Sequence, residues 1–173
     1  SLSVNANAYY MRLRDEIHFD PLTFENINLD PTKRYGIEVS GTFDLTDRLR
    51  QMANYTHMRS QFRQGPFSGN DVPMVPENTA NLAAAWAHSK NTDVTVSVNY
   101  IDSTYFDNDQ ANNFGRQIPA YTTVDARASH AIAGFRLGVE LNNIFEEEAI
   151  DYGVSSVAAA GVYNAYPLPD RTL

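Results

Sequence analysis

From Arg34 to Leu45 the chain alternates without a break: Tyr35, Ile37, Val39, Gly41, Phe43 and Leu45 fall in one phase, Arg34, Glu38, Ser40, Thr42 and Asp44 in the other. A period of two is the geometry of a β-strand with unlike faces, because successive side chains leave the pleat on opposite sides. The same alternation returns in Leu2, Val4, Ala6, Ala8 and Tyr10, in Ala80, Leu82, Ala84 and Trp86, and in Val94, Val96, Val98 and Tyr100. It continues in Val124, Ala126 and Ala128, and in Phe135, Leu137, Val139 and Leu141. With Leu49 to Met58 these segments predict seven strands, and Arg171 to Leu173 reads as the start of an eighth. After Tyr10 the apolar phase slips to Leu13, Ile17 and Phe19, which a bulge between Met11 and Asp15 accounts for. No segment carries a helical apolar stripe; Val154 to Val162 is a Ser/Ala run interrupted by Gly161.

Period two serves equally a soluble sandwich and a lipid-embedded barrel, so spacing decides between them. Sandwich strands recur every 8 to 12 residues, whereas seven strands in 173 residues recur at about 25. The connections alternate in length. Thr46 to Arg48, Ser89 to Asn91 and His130 to Gly134 are short, while Ser60 to Pro76 and Asp107 to Gln117 are long and polar, and Glu146 to Pro169 is long, acidic at its start and then small and apolar. That is how outer-membrane barrels divide periplasmic turns from extracellular loops. Tyr9, Tyr10, Phe43, Trp86, Tyr100, Tyr105 and Phe135 sit toward strand ends, where an aromatic girdle belongs. The expected fold is therefore all-β: an antiparallel, up-and-down transmembrane β-barrel segment, with one face toward lipid and the other toward a wet lumen. On the lumen face, Asp125 with Arg127 and Arg136 with Glu140, across or along neighbouring strands, are expected to brace the wall as ion pairs. The mean hydropathy of −0.40 is what such averaging produces. No run approaches the roughly 18 to 20 apolar residues of a membrane-spanning helix.

The net charge of −8 repels phosphate backbones, so no nucleic-acid partner is expected. Without cysteine there are no disulfides or thiolate sites. His18, His57, His88 and His130 stand singly at strand ends and turns, and no nucleophile elbow is present, so neither catalysis, a cofactor nor a metal centre is predicted. Asp107-Asn108-Asp109-Gln110-Ala111-Asn112-Asn113 is rich in oxygen, but it lacks the Gly at the sixth and the Glu at the twelfth position of the helix-loop-helix calcium motif. It reads as a solvated loop, as does the acidic Glu146-Glu147-Glu148 run. The long loops offer the binding chemistry, Phe62, Arg63 and Phe67 in one and Tyr105, Phe106, Phe114 and Arg116 in another, with Arg63, Phe67, Tyr105, Phe114 and Arg116 as the candidate ligand contacts. Aromatic surfaces beside a guanidinium suit an anionic, partly aromatic chelate through stacking and charge-assisted hydrogen bonds.

Five segments go beyond pattern: Thr32-Lys33-Arg34-Tyr35-Gly36-Ile37-Glu38-Val39, Val72 to Leu82, Ile118 to Asp125, Leu141-Asn142-Asn143-Ile144-Phe145, and Tyr163 to Thr172. In this order and spacing they resemble the C-terminal region of TonB-dependent outer-membrane receptors, over essentially the whole chain. The resemblance implies part of a 22-stranded barrel in the outer membrane of a Gram-negative bacterium, with 1–173 as a C-terminal portion of the wall. It implies uptake of a ferric siderophore, or of a related chelate such as haem or cobalamin. It also implies energy relayed from TonB through an N-terminal region, and contact with outer-membrane lipid and lipopolysaccharide. The TonB box and plug domain of the family have no counterpart in these residues, and the chain is expected to be cut from something longer. The alternative is a self-contained small outer-membrane barrel of structural or adhesive role, closing on itself with about eight strands.

Overall fold

The computed structural model describes residues 1–20 and 23–173. Its strands are β1 (Leu2–Leu13), β2 (Ile17–Asp20), β3 (Glu25–Asn28), β4 (Thr32–Thr46), β5 (Leu49–Phe62), β6 (Asn78–Ala87), β7 (Thr92–Ile101), β8 (Tyr121–Ile132), β9 (Phe135–Leu141), β10 (Ile150–Ser155) and β11 (Tyr163–Pro167). Seven form one antiparallel sheet in the order β1-β4-β5-β6-β7-β8-β9, and these are the seven that the alternation predicts. The remaining four make two separate hairpins, β2–β3 and β10–β11, inside the long connections. Asn142 pairs with Thr172 in a lone antiparallel bridge, so the stub after Pro169 lies beside the end of β9 as an eighth strand would.

Register carries the apolar phase unbroken across the sheet. The row Ala6–Val39–Tyr55–Ala80–Tyr100–Thr122 and the row Val4–Gly41–Ala53–Leu82–Val98–Val124 each follow from direct cross-strand partners. The next row continues through Ala84, Val96 and Ala126 to Leu141. The single shift in the sheet falls at Asp44/Thr46, beside a turn. This face has no layer packed on it: Leu82 is 52% exposed, Val96 41% and Leu137 63%. Rings gather near both ends of it, with Tyr10 and Tyr35 toward the long loops and Phe43, Trp86 and Phe135 toward the short turns. Tyr9 points to the opposite face, across Gly36, and Tyr105 lies in a loop, so neither joins a girdle.

The other face is a polar ladder. Asn5, Ser40, Asn54, Asn81, Asn99 and Thr123 share one row. Within it Asn81 Nδ2 donates to Asn99 Oδ1 at 2.6 Å, and Asn99 Nδ2 donates to Asp125 Oδ2 at 2.8 Å. The expected ion pairs are replaced. Asp125 accepts from Asn99 and from the Asn143 backbone N–H, not from Arg127, which is on its own strand one row away. Arg136 reaches Asp93 at 3.0 Å, because Glu140 lies four residues up its own strand while Asp93, two strands away on β7, comes within reach across Ser129 of β8, to whose hydroxyl Arg136 also donates.

Two further expectations are corrected. No bulge lies between Met11 and Asp15: the β1–β4 register is continuous to Leu13↔Thr32. The phase changes because β1 ends there and Asp15, at φ 60°, turns the chain into β2, to which Ile17 and Phe19 belong. Nor does the sheet curl into a small closed barrel, since β1 and β9 stand at opposite ends of the strand order and do not pair. The turn after β8, like that after β4, is a two-residue hairpin. Ala133 and Gly134 both have positive φ, 49° and 81°, the two-residue geometry that matches the twist of the flanking strands.

The face assignment predicts a pair of outcomes. Val96→Arg, at the middle of β7, should destabilise membrane assembly by roughly 2 to 4 kcal/mol, and Leu137→Arg, nearer a turn, by less. Ser97→Arg on the polar face should be tolerated. Urea titration of the folded protein in lipid vesicles checks this, and equal tolerance at Val96 and Ser97 would show the faces to be reversed or out of lipid.

Candidate functional site

Hydrophobic burial lies mostly at one end of the sheet rather than on it. Phe62, Val72, Phe106, Ile118 and Ala149 are buried there; all but Phe62, the last residue of β5, lie outside the long sheet strands, and among the described residues Ala83 of β6 is the one other buried apolar residue within the sheet. The connections 14–31, 63–77, 102–120 and 142–171 emerge at this end and fold onto one another.

Each connection is shaped by its own backbone. In 63–77 the chain returns along β5, with Gly69 N–H bonded to Phe62 O and Val72 N–H to Ser60 O, both at 2.9 Å. The neck of 102–120 is closed by the Thr104↔Ile118 bridge. Asp107 then adds to the edge of β10: its N–H donates to Gly153 O at 2.8 Å and its carbonyl accepts from Ser155 N–H at 2.9 Å. Between loops, Asn112 and the Asp71 backbone exchange two hydrogen bonds at 2.7 and 3.0 Å, and Asn70 Nδ2 reaches Gln110 O at 2.9 Å. His18 on β2 lies 3.1 Å from Asn108 Oδ1 and from Gln110 Nε2. Backbone donors and acceptors withdrawn from water are thereby paired across four connections.

The oxygen-rich run 107–113 is therefore not a solvated loop. Asp109 is buried and its carboxylate accepts from the Asn113 and Phe114 N–H groups, at 2.9 and 3.3 Å, folding the loop on itself. Asp107 accepts from the Tyr152 hydroxyl and from the Asn108 N–H. Among the described residues no cluster of three or more His, Cys, Asp or Glu is placed to hold a metal ion.

Of the loop residues picked from sequence, Phe114 and Arg116 come together. Phe106, Phe114 and Tyr163 form a cluster with ring centres 4.8 to 6.3 Å apart, and the Arg116 guanidinium stands 4.7 Å over Tyr163. Arg116 is exposed above it. Tyr105 lies elsewhere, lining a polar cavity of about 330 Å³ with Arg59, Asp71, Glu77, Asp102 and Gln117. Arg63 and Phe67 belong to a third place, around Phe62: the Phe67 ring is 5.9 Å from that of Phe62, and Arg63 N–H donates to Pro31 O at 2.7 Å. Arg63 Nε is buried with no hydrogen-bond partner. Sequence reading did not pick Tyr163 as a site residue, although it opens the Tyr163 to Thr172 segment, and it missed the His18 and Tyr152 contacts, which join residues far apart in the chain.

Two titratable groups in the cap have shifted equilibria. The Asn78 side-chain hydrogen bond, at 2.6 Å, holds the Asp102 carboxyl below the usual carboxylate range, aided by the Ser103 N–H. Burial, then the hydrogen bond to Asp107 and its negative charge, push the Tyr152 phenol well above its ordinary value. Because the folded value is raised, the Tyr152–Asp107 contact stabilises the cap fully below pH about 10 and is lost as pH rises through the elevated value. Tyr152→Phe should therefore speed hydrogen exchange in 102–120 at neutral pH, with the difference from wild type vanishing in strong alkali. Gly153 tests the packing. A Cβ there would lie 2.7 Å from two carbons of the Phe106 ring and 3.1 Å from Ile118 Cδ1. Gly153→Ala should cost the cap roughly 1 to 3 kcal/mol, read as local loss of exchange protection while the sheet amides keep theirs.

The arrangement has counterparts in known proteins. Residues 1–144 match the family model described as TonB dependent receptor-like, beta-barrel. The metal-pseudopaline receptor CntO of Pseudomonas aeruginosa is 24% identical over 172 residues, covering 92% of this chain and 23% of that protein. The iron-regulated outer membrane virulence protein of Vibrio cholerae is 22% identical over 130 residues, covering 73% of this chain and 20% of its own length. Among solved structures, the ferric yersiniabactin uptake receptor FyuA of Yersinia pestis superposes with a TM-score of 0.79 at 19% identity, covering 98% of this chain and 26% of that one. The siderophore receptor PiuA of Acinetobacter baumannii gives 0.74 at 21% identity, with 98% and 25% covered. The chain thus spans about a fifth to a quarter of the length of the relatives it matches. Its seven-stranded wall, polar inner ladder and packed outer loops are those of a barrel segment, and the chain belongs to the TonB-dependent receptor β-barrel family.

Proposed function

We propose that residues 1–173 form a C-terminal portion of the barrel wall, and part of the ligand-facing cap, of an outer-membrane receptor that takes up a ferric siderophore or similar metal chelate. The observation that carries this reading is the cap itself: an exposed guanidinium, Arg116, fixed over an aromatic cluster that packs with Ile118 against Gly153 of β10 through Phe106. The family is one of receptors and transporters rather than enzymes. The relatives are named for iron regulation and for metal-chelate or siderophore reception.

The chemistry of capture follows from the side chains. An iron chelate that is anionic at its periphery gains charge-assisted hydrogen bonds from a guanidinium, and its flat donor groups gain stacking area from Phe114 and Tyr163. Pre-fixing Arg116 over Tyr163 lowers the entropy lost when the ligand docks. Tyr105 in its polar cavity, and Arg63 with Phe67 around Phe62, extend the set of candidate contacts along the same end of the sheet. Below the cap, the asparagine-rich inner face offers a wetted surface without a fixed band of charge. Coupling to TonB is assigned to a plug and an N-terminal box outside 1–173, in the outer membrane of a Gram-negative bacterium, with the apolar outer face against lipid.

Titration of ferric chelates of different charge and ring content into the intact receptor, followed by tryptophan fluorescence, tests the reading. Arg116→Ala should weaken binding of an anionic chelate about tenfold, the scale of one desolvated cation–π and hydrogen-bond contact, and Phe114→Ala should act in the same direction. A receptor that binds no chelate, in cells whose growth on scarce iron does not depend on it, would sink the proposal.

A further inference from the structure

The outward face of the sheet is apolar along the middle of its strands, yet at the loop end it carries cations. By register Arg12 lies opposite Lys33, the next row holds Tyr10 opposite Tyr35, and Arg59 follows Tyr35 on β5. Outward positions of the seven strands hold these three cations and no carboxylate. The acids lie just past the strand ends. Glu77 takes Arg59 at 3.0 Å and stands 3.8 Å from His57, while Asp102 is held by Asn78 and Tyr100. Arg12 and Lys33 form ion pairs with no carboxylate among the described residues. They lie by rings instead: the Arg12 guanidinium is 5.5 Å from the centre of Tyr10, with its Nε donating to the Tyr10 hydroxyl at 3.3 Å, and the Lys33 ammonium is 5.9 Å from the centre of Tyr35, the two rings stacked at 6.3 Å.

A second feature lies below them on the same face. A groove of about 400 Å³ has Gly41, Ala53 and Ala80 as its floor and Val39, Leu82 and Val98 as its walls. Its upper margin at Val39 is four residues down β4 from Tyr35, about 13 Å at the rise of a strand. A pair of cations left without acids, on a chain of net charge −8, faces outward above an apolar channel. This matches a ligand with phosphates at one end and a hydrocarbon chain at the other. A cation on the lipid face of a barrel is costly at the midplane and nearly free at the interface, where it attracts anionic headgroups.

We propose that Arg12 and Lys33, on the Tyr10–Tyr35 platform, bind the phosphorylated headgroup of a lipid in the leaflet that meets the loop end, with an acyl chain in the groove floored by Gly41, Ala53 and Ala80. The site rests on the reading of the sheet as a membrane-spanning wall. It is separate from the cap residues that face the chelate.

The test uses the intact receptor, exchanged in mild detergent with either a bisphosphorylated glycolipid or an uncharged glycolipid of the same acyl chains, and counts retained lipid by native mass spectrometry. Wild type should retain the phosphorylated lipid and release the uncharged one. Arg12→Ala with Lys33→Ala should lower retention about tenfold or more, and Ala53→Phe, which fills the groove and leaves the cations, should also lower it. Equal retention by the double variant would overturn the headgroup site, and full retention by Ala53→Phe would overturn the acyl groove. Displacement of the lipid by millimolar inorganic phosphate would make this a free-phosphate site and likewise overturn the proposal. Heat-modifiable migration separates the two levels: a wild-type protein without a compact band removes the wall and the lipid site with it, whereas compact wild type and double variant with equal lipid removes the lipid site alone.

Discussion

A backbone amide in hydrocarbon has no water to bond, so every donor and acceptor must find a partner in the protein. The long antiparallel register meets that constraint here and decides much else. Because each pairing holds direct partners over nearly its whole length, the two phases of every strand stay on the same two faces across seven strands. A one-residue slip at any pair would send Val, Leu and Tyr inward and Asn, Asp and Arg into lipid. The one irregularity, at Asp44/Thr46, lies beside a turn, where its rotation of the pattern reaches few residues.

With lipid standing where a soluble protein has a core, burial moves to the ends. The outward side chains remain exposed in the isolated chain, and the fully buried rings are Phe62 at the top of β5 and Phe106 in the connection after β7. That inverts the usual division in which strands pack and loops are solvated. Loop residues can do this because their own backbones make sheet: β2–β3, β10–β11 and the Asp107↔Val154 bridge satisfy amides that would otherwise need water. The functional consequence is rigidity where ligand is expected. Arg116 is offered from a surface whose rings and carboxylates are already placed.

This division also explains what was legible in the sequence. All seven wall strands could be read because a membrane-facing strand repeats one rule, apolar at every second residue, and Val94-Thr95-Val96-Ser97-Val98-Asn99 has few other readings. Ile17 and Phe19 were legible as alternating but not as separate, since alternation does not mark the point where Asp15 turns the chain out of the sheet. The β10–β11 hairpin was illegible: Gly153 and Ser155 carry no β signal, and they pair because Asp107 supplies an edge from another loop. Pairings on the inner face failed for a related reason. Asp125 and Arg127 are nearest in sequence, but the partners come from other strands: Asn99 of β7 reaches Asp125, and Asp93 of β7 reaches Arg136 across β8.

Site residues were picked by type, and type alone cannot tell a contact residue from a packing one. Phe67 leans on Phe62 as loop packing would require, while Arg116 is held over a ring with its guanidinium exposed. The difference lies in what the partner does. A cation paired with a carboxylate, as Arg34 with Glu16 at 2.5 Å or Arg136 with Asp93, has its charge already answered. A cation resting on an aromatic face keeps most of its field for something outside the protein, since a ring quadrupole offsets only a small part of a full charge. By that criterion the chain presents cations outward in two places, over Tyr163 at the cap and over Tyr10 and Tyr35 on the wall. The two differ in what surrounds them: clustered rings and loop backbone at the first, an apolar channel in the lipid-facing wall below the second. The same anion-seeking chemistry thus points to a compact chelate in one place and to a lipid in the other.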